Sequence, residues 1–464
     1  MSQLAWGLIR ADAISVSSEQ KSGSRWEFTE VPIAKPASDF VPGSIQVRPD
    51  MRQIAFVAYR HGKSVVVVNE LEGKPYDEVS LGTPIWSPDG NHLAYLAVQQ
   101  QRFLLVRDGV EGPPFDKTLI ENLLLFSPNS QHLAYGKATA GTQSIVVDGQ
   151  EEQAYEGIIQ HSLIFSPDST KWAYLAVHHG KQCLVVNGVE QKNYDGVVGE
   201  TTKFSPDSKH LAYAAGRAGR QFLVLDGEEG KEYDFIGDGT TTFSADSKHL
   251  AYVASRGKRL LAVIDGREGK EYERIAHGSL LVSADGHHVA YVVMRAGSQS
   301  VVLDGVEGKA YEAIGAGSCR FSPNGKRLAY VAVEGTRKIA VIDNRESEPY
   351  NSLLVGTPIF SSDSKRVAFV GERVFKYVAV VDGTESKAYF AVNGLAFSPD
   401  GKHVAFNASK GARFVLVVDG SETQQAYDGF LQGTTTVFDT ARSVRAVGFR
   451  GAGLYRVEAR LVDD

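Results

Sequence analysis

Twelve histidines and a surplus of carboxylates are the residues of this chain with the most chemistry to offer, and their spacing decides what that chemistry is. Six histidines, His92, His132, His210, His249, His288 and His403, hold one recurring position just after a turn sequence such as Ser-Pro-Asp, where sister segments place Gln53, Lys171, Arg327 and Arg366. Side chains separated by a whole repeat do not converge within the ~2 Å ligand distances of a metal. They read as solvated turn residues, and no metal site and no cofactor is expected. Catalytic signatures are missing too. There is no Gly-x-Ser-x-Gly elbow and no His-Glu-x-x-His, and Gly62-Lys63-Ser64 has Val57 where a P-loop carries its first glycine. The expectation is a protein that is not an enzyme.

A second slot is more informative because it breaks its own pattern. Six residues before the turn proline, six of eleven segments carry glycine: Gly43, Gly82, Gly239, Gly278, Gly317 and Gly356. Asn122, His161 and Glu200 interrupt that run in three consecutive segments, and the preceding position adds Glu121, Gln160, Asp238 and His277. Asn393 and Thr434 also depart, but each has a glycine beside it (Gly394, Gly433) and reads as a register shift. Departures from an internal consensus mark where function is grafted onto a repeat. These seven side chains are the candidate ligand-binding residues, with drift at a tolerant loop as the alternative. One residue on, a hydroxyl recurs in Ser44, Thr83, Ser162, Thr201, Thr240, Ser279, Ser318, Thr357 and Thr435. It is expected to bond the backbone at a strand start, or else to line a channel mouth. Lys203 and Arg320 occupy slots that hold Ile85, Ile164 and Ile359 elsewhere, so they must reach water or a carboxylate, and a wet channel is expected there.

The elements that position these residues follow from self-comparison. A Phe-Ser-Pro-Asp-x-x-His-Leu-Ala-Tyr motif recurs with its third position at Pro49, Pro88, Pro128, Pro167, Pro206, Ala245, Ala284, Pro323, Ser362, Pro399 and Thr440, almost always about 39 residues apart. The unit 201–239 parses as four short strands, TTKF, HLAYAA, QFLVLD and EYDFI, separated by Ser-Pro-Asp, Gly-x-x-Gly and Asp-Gly turns, with no helical period. Four antiparallel strands in about 40 residues make a propeller blade. The motif alanine is kept in all eleven units, Ala55 through Ala446, which implies sheets packed too closely for a larger side chain.

The motif Phe204-Ser205-Pro206-Asp207-Ser208-Lys209-His210-Leu211-Ala212-Tyr213 and its copies resemble the PD40, or WD40-like TolB-type, β-propeller repeat over residues ~45 to 440. The resemblance implies an all-β propeller of four-stranded blades and a soluble bacterial interaction module. Similar blades also cap hydrolases, but no hydrolase domain is expected with this array.

The ends bear on closure. Leu4-Ala5-Trp6, Arg25 to Val31 and Ala37 to Val41 read as second, third and fourth strands of an incomplete blade; Thr435 to Phe438, Val444 to Phe449 and Leu454 to Leu461 read as first, second and third strands of another. Merged, they give eleven blades (partial blade and closure strand 1–44, ten complete blades 45–430, partial blade 431–464); kept apart, they give twelve. A single ring is preferred because the spacing stays even through the middle, with two tandem six-bladed rings as the rival.

With 464 residues, 49 Lys plus Arg, 55 Asp plus Glu and a net charge of −6, the chain lacks the basic balance of a nucleic-acid binder. No run of ~18 apolar residues or signal peptide is present, so neither membrane nor export is expected and the location as written is cytoplasmic, or exported if a leader has been removed. Cys183 and Cys319 fall in different units and are expected to stay unbridged. Hairpins between second and third strands carry bases such as Arg217, Arg220, Arg256 and Lys258, and the opposite turns repeat Asp-Gly-x-Glu, so one rim is expected to be basic and the other acidic. The leading reading is a monomeric, non-catalytic platform binding a protein or polar small ligand near the central channel. A carbohydrate-active or other enzyme at the channel mouth and a self-assembling repeat protein are the alternatives.

Overall fold

The Ser-Pro-Asp sequence builds its turn from its own side chains. In the sixth unit, which has Ala245 for proline, the Ser244 hydroxyl donates to Asp246 Oδ1 at 2.5 Å and accepts the His249 N–H at 3.0 Å, while the Lys248 N–H donates to Asp246 Oδ1. The turn hands the chain to the second strand, Leu250–Arg256, which pairs antiparallel with Arg259–Ile264. Asp265 and Gly266 then supply the two positive φ values, 49° and 74°, that a tight hairpin matching the strand twist demands. The outermost strand, Arg267–Tyr272, follows. The computed structural model describes residues 24–34, 40–41, 43–80, 82–118, 124–431 and 436–463, and in them this unit recurs as eleven antiparallel sheets with no helix.

Each sheet is apolar on both faces because each is covered on both. Eleven clusters of buried side chains form, every one shared between two neighbouring blades; one joins Ala212, Leu223 and Tyr233 of the fifth to Tyr252, Leu261 and Val263 of the sixth. The eleventh interface sets Leu454 and Ala34 against Ile54, Phe56 and Val67 of the first blade, and the ring is closed. The protein is a single eleven-bladed propeller, so neither twelve blades nor two tandem rings are formed. The motif alanines from Ala55 to Ala446 are all fully buried, as close sheet packing requires. Hydrogen bonds reinforce five junctions near the turns, where a serine at positive φ accepts the preceding blade's N–H, as in Asp207 N–H to Ser247 Oγ at 2.9 Å.

The ends correct the strand assignment. Arg25 to Val31 lies within Ser24–Ala34, which is the outermost strand of the C-terminal blade rather than a third strand; it pairs antiparallel along Gly453–Asp463 from Ser24↔Asp463 to Ala34↔Leu454. Phe40 bridges Ala58 and so begins the innermost strand of the first blade instead of ending a fourth. Leu4, Ala5, Trp6 and residues 37–39 lie outside the described residues. The segment EYDFI is likewise divided. Tyr233 pairs with Gln221 of its own blade, whereas Phe235–Ile236 already pairs with the second strand of the next. Blade limits therefore fall just after the recurrent tyrosine, which moves residues 40–41 into the first blade and 429–430 into the last.

Candidate functional site

The innermost strand of a blade is interrupted near its middle. In the sixth blade Phe235–Ile236 and Thr242–Phe243 both pair with Leu250–Arg256, and Gly237-Asp238-Gly239-Thr240 turns between them. The Thr240 hydroxyl donates to the Gly237 carbonyl at 2.6 Å and accepts the Val253 N–H at 3.1 Å, filling the missing rung of the ladder. Ser162, Thr201, Ser279 and Ser318 do the same with Leu175, Ala214, Val292 and Val331. All five are buried, so these hydroxyls serve the backbone and do not line a channel mouth; Thr435 of the same series lies outside the described residues.

The turn apices are what the interruption offers to the channel. Gln160, His161, Glu200 and His277 are exposed on them, with Asp238 half-buried; Glu121 and Asn122 lie outside the described residues. His161 takes φ +58°, beside +63° to +67° for Gly239, Gly278 and Gly317 in the same slot. An L-residue accepts that conformation only at a cost of about 1–2 kcal/mol, because its Cβ crowds the following carbonyl. Glu200 avoids the cost differently. Its innermost strand, Gly196–Phe204, runs on with a register irregularity between Val198 and Lys203. In the tenth blade, Asn393 sits in the similarly irregular strand Ala391–Phe397 and Gly394 takes φ +65°, which agrees with a register shift.

Three of the candidates meet. A Cβ placed on Gly239 would lie 3.3 Å from Glu200 Oε2 and 3.5 Å from His277 Nε2, so side chains from the fifth and seventh blades lean over the turn of the sixth. Asp238 on that turn accepts the Gly239 N–H at 3.1 Å. No ion pair joins Glu200 to His277 among the described residues, and both stay open to water. Gln160 and His161 occupy the neighbouring turn with no hydrogen bond to this group. The consensus glycine Gly239, which sequence reasoning passed over, is the saddle that gives Glu200 and His277 room to approach.

Lys203 and Arg320 lie on innermost strands, opposite Ala212 and Ala329, in the row that elsewhere holds Ile85, Ile164 and Ile359. Both are exposed and neither forms an ion pair among the described residues.

The six turn histidines have a more specific role than solvation. Each sets Nδ1 against the aspartate of its own blade's Asp-Gly turn, as in His92 with Asp108 at 2.8 Å and His210 with Asp226 at 2.6 Å, while Arg327 and Arg366 do the same with Asp343 and Asp382. The glutamate of that turn reaches the other way. Glu229 pairs with Arg217 from the hairpin and with Lys192 of the preceding blade, which hold its carboxyl down to about 2, Lys192 having the larger effect. The expected division into a basic and an acidic rim is thus corrected, because these pairs balance charge within and between blades. Cys183 and Cys319 are free thiols, and burial pushes them up to about 11 and about 12.

No family model and no curated protein matches the chain. Among solved structures it is similar to a eukaryotic initiation factor (13% identity over 73% of this chain and 96% of that one, TM-score 0.40). It is also similar to TolB from Acinetobacter baumannii (18%, 58% and 79%, 0.27) and to the β-propeller domain of the Trilobed protease from Pyrococcus furiosus (14%, 55% and 91%, 0.28).

Proposed function

We propose that this propeller is a non-catalytic interaction platform whose inner rim, from the fourth to the seventh blade, binds a polar ligand or a polar segment of a protein. The observation that carries this reading is the meeting of Glu200, Asp238 and His277 around Gly239, beside a His161 held at positive φ in a slot that favours glycine. Strained, exposed polar residues are a device of binding sites, where function retains what stability disfavours. Carboxylates and imidazoles open to water suit hydrogen-bonded recognition of a polar group.

The test combines His161→Gly, Glu200→Gly, Asp238→Ala and His277→Ala in one chain. Folding should be kept, because none of the four side chains is buried and sister units already carry glycine in the slot of His161 and Glu200. A partner captured on the parent and titrated by calorimetry should bind the variant about tenfold or more weakly. Equal binding would reduce the rim to tolerated variation. Arg256→Ala with Lys258→Ala, on a hairpin, is the control and should change salt dependence more than affinity.

A further inference from the structure

On the face formed by the hairpins between second and third strands, the repeat balances its own charge. The residue after the outermost aromatic is acidic in eight of ten units, as in Asp77, Asp195, Asp234 and Glu312. It pairs with the base that opens the third strand, in Lys63–Asp77, Lys181–Asp195 and Arg220–Asp234, or accepts a hairpin N–H, as Glu312 does from Gly335 at 3.0 Å. The two exceptions, Asn351 and Phe390, are consecutive. Arg337 and Lys376, which stand where Lys63 and Arg220 stand in their own units, consequently face no carboxylate in that slot and form no ion pair among the described residues.

The hairpin between these two breaks a second rule. Its tip is Val374-Phe375 at φ +45° and +63°, a geometry for which sister hairpins use His61-Gly62, Ala140-Gly141 or Ala218-Gly219, and in one case the unbranched polar pair Gln100-Gln101. A β-branched residue at positive φ is a genuine outlier. Both side chains are left in water, 78% and 84% exposed, and Phe390, 55% exposed, lies under the ammonium of Lys376, the next residue in the hairpin. A pocket bordered by Arg337, Tyr350, Asn351, Arg373 and Val374 lies between this hairpin and the one before. Strain, exposed aromatics and uncompensated cations coincide on neighbouring blades and nowhere else among the described residues.

We propose that this patch is a second docking surface, for an acidic protein segment carrying an apolar side chain. The carboxylate pairs with Arg337 at the pocket, and the apolar group packs on Phe375 and Phe390. A protein segment fits better than a bilayer. The two slots that lack a carboxylate are on adjacent blades, while the same face elsewhere presents carboxylates, Glu156 and Glu273 among them, to any anionic surface laid across it. This surface is independent of the inner rim.

The test is fluorescence anisotropy of a labelled, end-blocked peptide of alternating Glu and Leu, with Lys/Leu and Glu/Ser peptides as controls, on the whole chain. The parent should bind the Glu/Leu peptide and neither control. Val374→Asn with Phe375→Gly, and separately Arg337→Glu, should each weaken binding about tenfold. The Asn-Gly variant should melt no lower than the parent, since that pair is what the turn prefers, so its loss of binding is not unfolding. His161→Gly with Glu200→Gly should leave peptide binding unchanged. The proposal is overturned if the parent binds no Glu/Leu peptide, binds the Lys/Leu peptide equally, or keeps its affinity in the Asn-Gly variant. It is also overturned if Phe375-dependent co-sedimentation with phosphatidylserine vesicles, or a Phe375-dependent rise of mass with concentration, shows a bilayer or a second copy there instead.

Discussion

At His161 the backbone and the side chain make opposite demands. The left-handed conformation favours glycine, and the imidazole is exposed, so folding gains nothing from it that the structure shows. His161→Gly should therefore raise stability by about 1 kcal/mol, read as a higher calorimetric Tm, even as it weakens the inner rim. The turn aspartates give a pH signature. The Ser87 hydroxyl, with the Asn91 N–H, holds the Asp89 carboxyl down to about 2, and Ser166 with the Thr170 N–H does the same for Asp168; Asp207, Asp246 and Asp363 are lowered by equivalent serines. A carboxyl whose folded-state pKa lies below the unfolded value stabilises fully above about pH 4 and loses that contribution as pH falls toward about 2. Tm should fall steeply as the pH drops from about 4 toward about 2; an acid-insensitive Tm would contradict this. The backbone role of the Ser/Thr slot was legible in the sequence because a hydroxyl repeated at a strand start has one common use. That Glu200 and His277 share one loop series was legible from the glycine slot; that they lean over Gly239 was not, because it depends on the spacing of neighbouring blades around the ring.

The N-terminal strand shows where element reading fails and why. SRWEFTEVPIA carries none of the marks of a fourth strand, no Asp-Gly ahead of it and no repeat tyrosine behind it, so its neighbours in sequence suggested a third. Its chemistry nonetheless fits the fourth-strand slot. Glu30 accepts the Tyr427 hydroxyl at 2.8 Å, as Glu111 does from Tyr76 and Glu385 from Tyr350, and it pairs with Arg450, whose hydrogen bonds lower its pKa. Glu30→Ala should cost about 1–3 kcal/mol by leaving a part-buried hydroxyl and guanidinium unpaired. Glu27→Ala, whose partner Arg25 is exposed, should cost less than about 1 kcal/mol. Urea titration distinguishes the two. Deleting residues 1–34 uncovers Gly453–Asp463 as a bare edge, and such edges recruit other chains. Light scattering should then find association where the full chain shows one mass; an unaltered monomer of parental stability would contradict the pairing.

The whole molecule depends on every interface. Eleven shared cores and eleven alanine contacts make a ring in which each blade is stable through its two neighbours, so no blade is a separate domain. Repeat count, blade fold and the merging of the two ends were readable from spacing; the strand order of the closing blade needed the structure. Closure also fixes the register of the inner turns around the axis, and with it the meeting of side chains from the fifth and seventh blades over the sixth. The most direct test is a disulfide across the closure. Glu27 and Arg460 are exposed and directly opposed on the two terminal strands. With Cys183 and Cys319 replaced by serine, Glu27→Cys and Arg460→Cys should oxidise to an intramolecular bridge seen by peptide mass spectrometry, raise Tm and leave a monomer. Persistence of two free thiols under oxidising conditions, or bridging only between chains, would contradict a single ring closed by its own N-terminal strand.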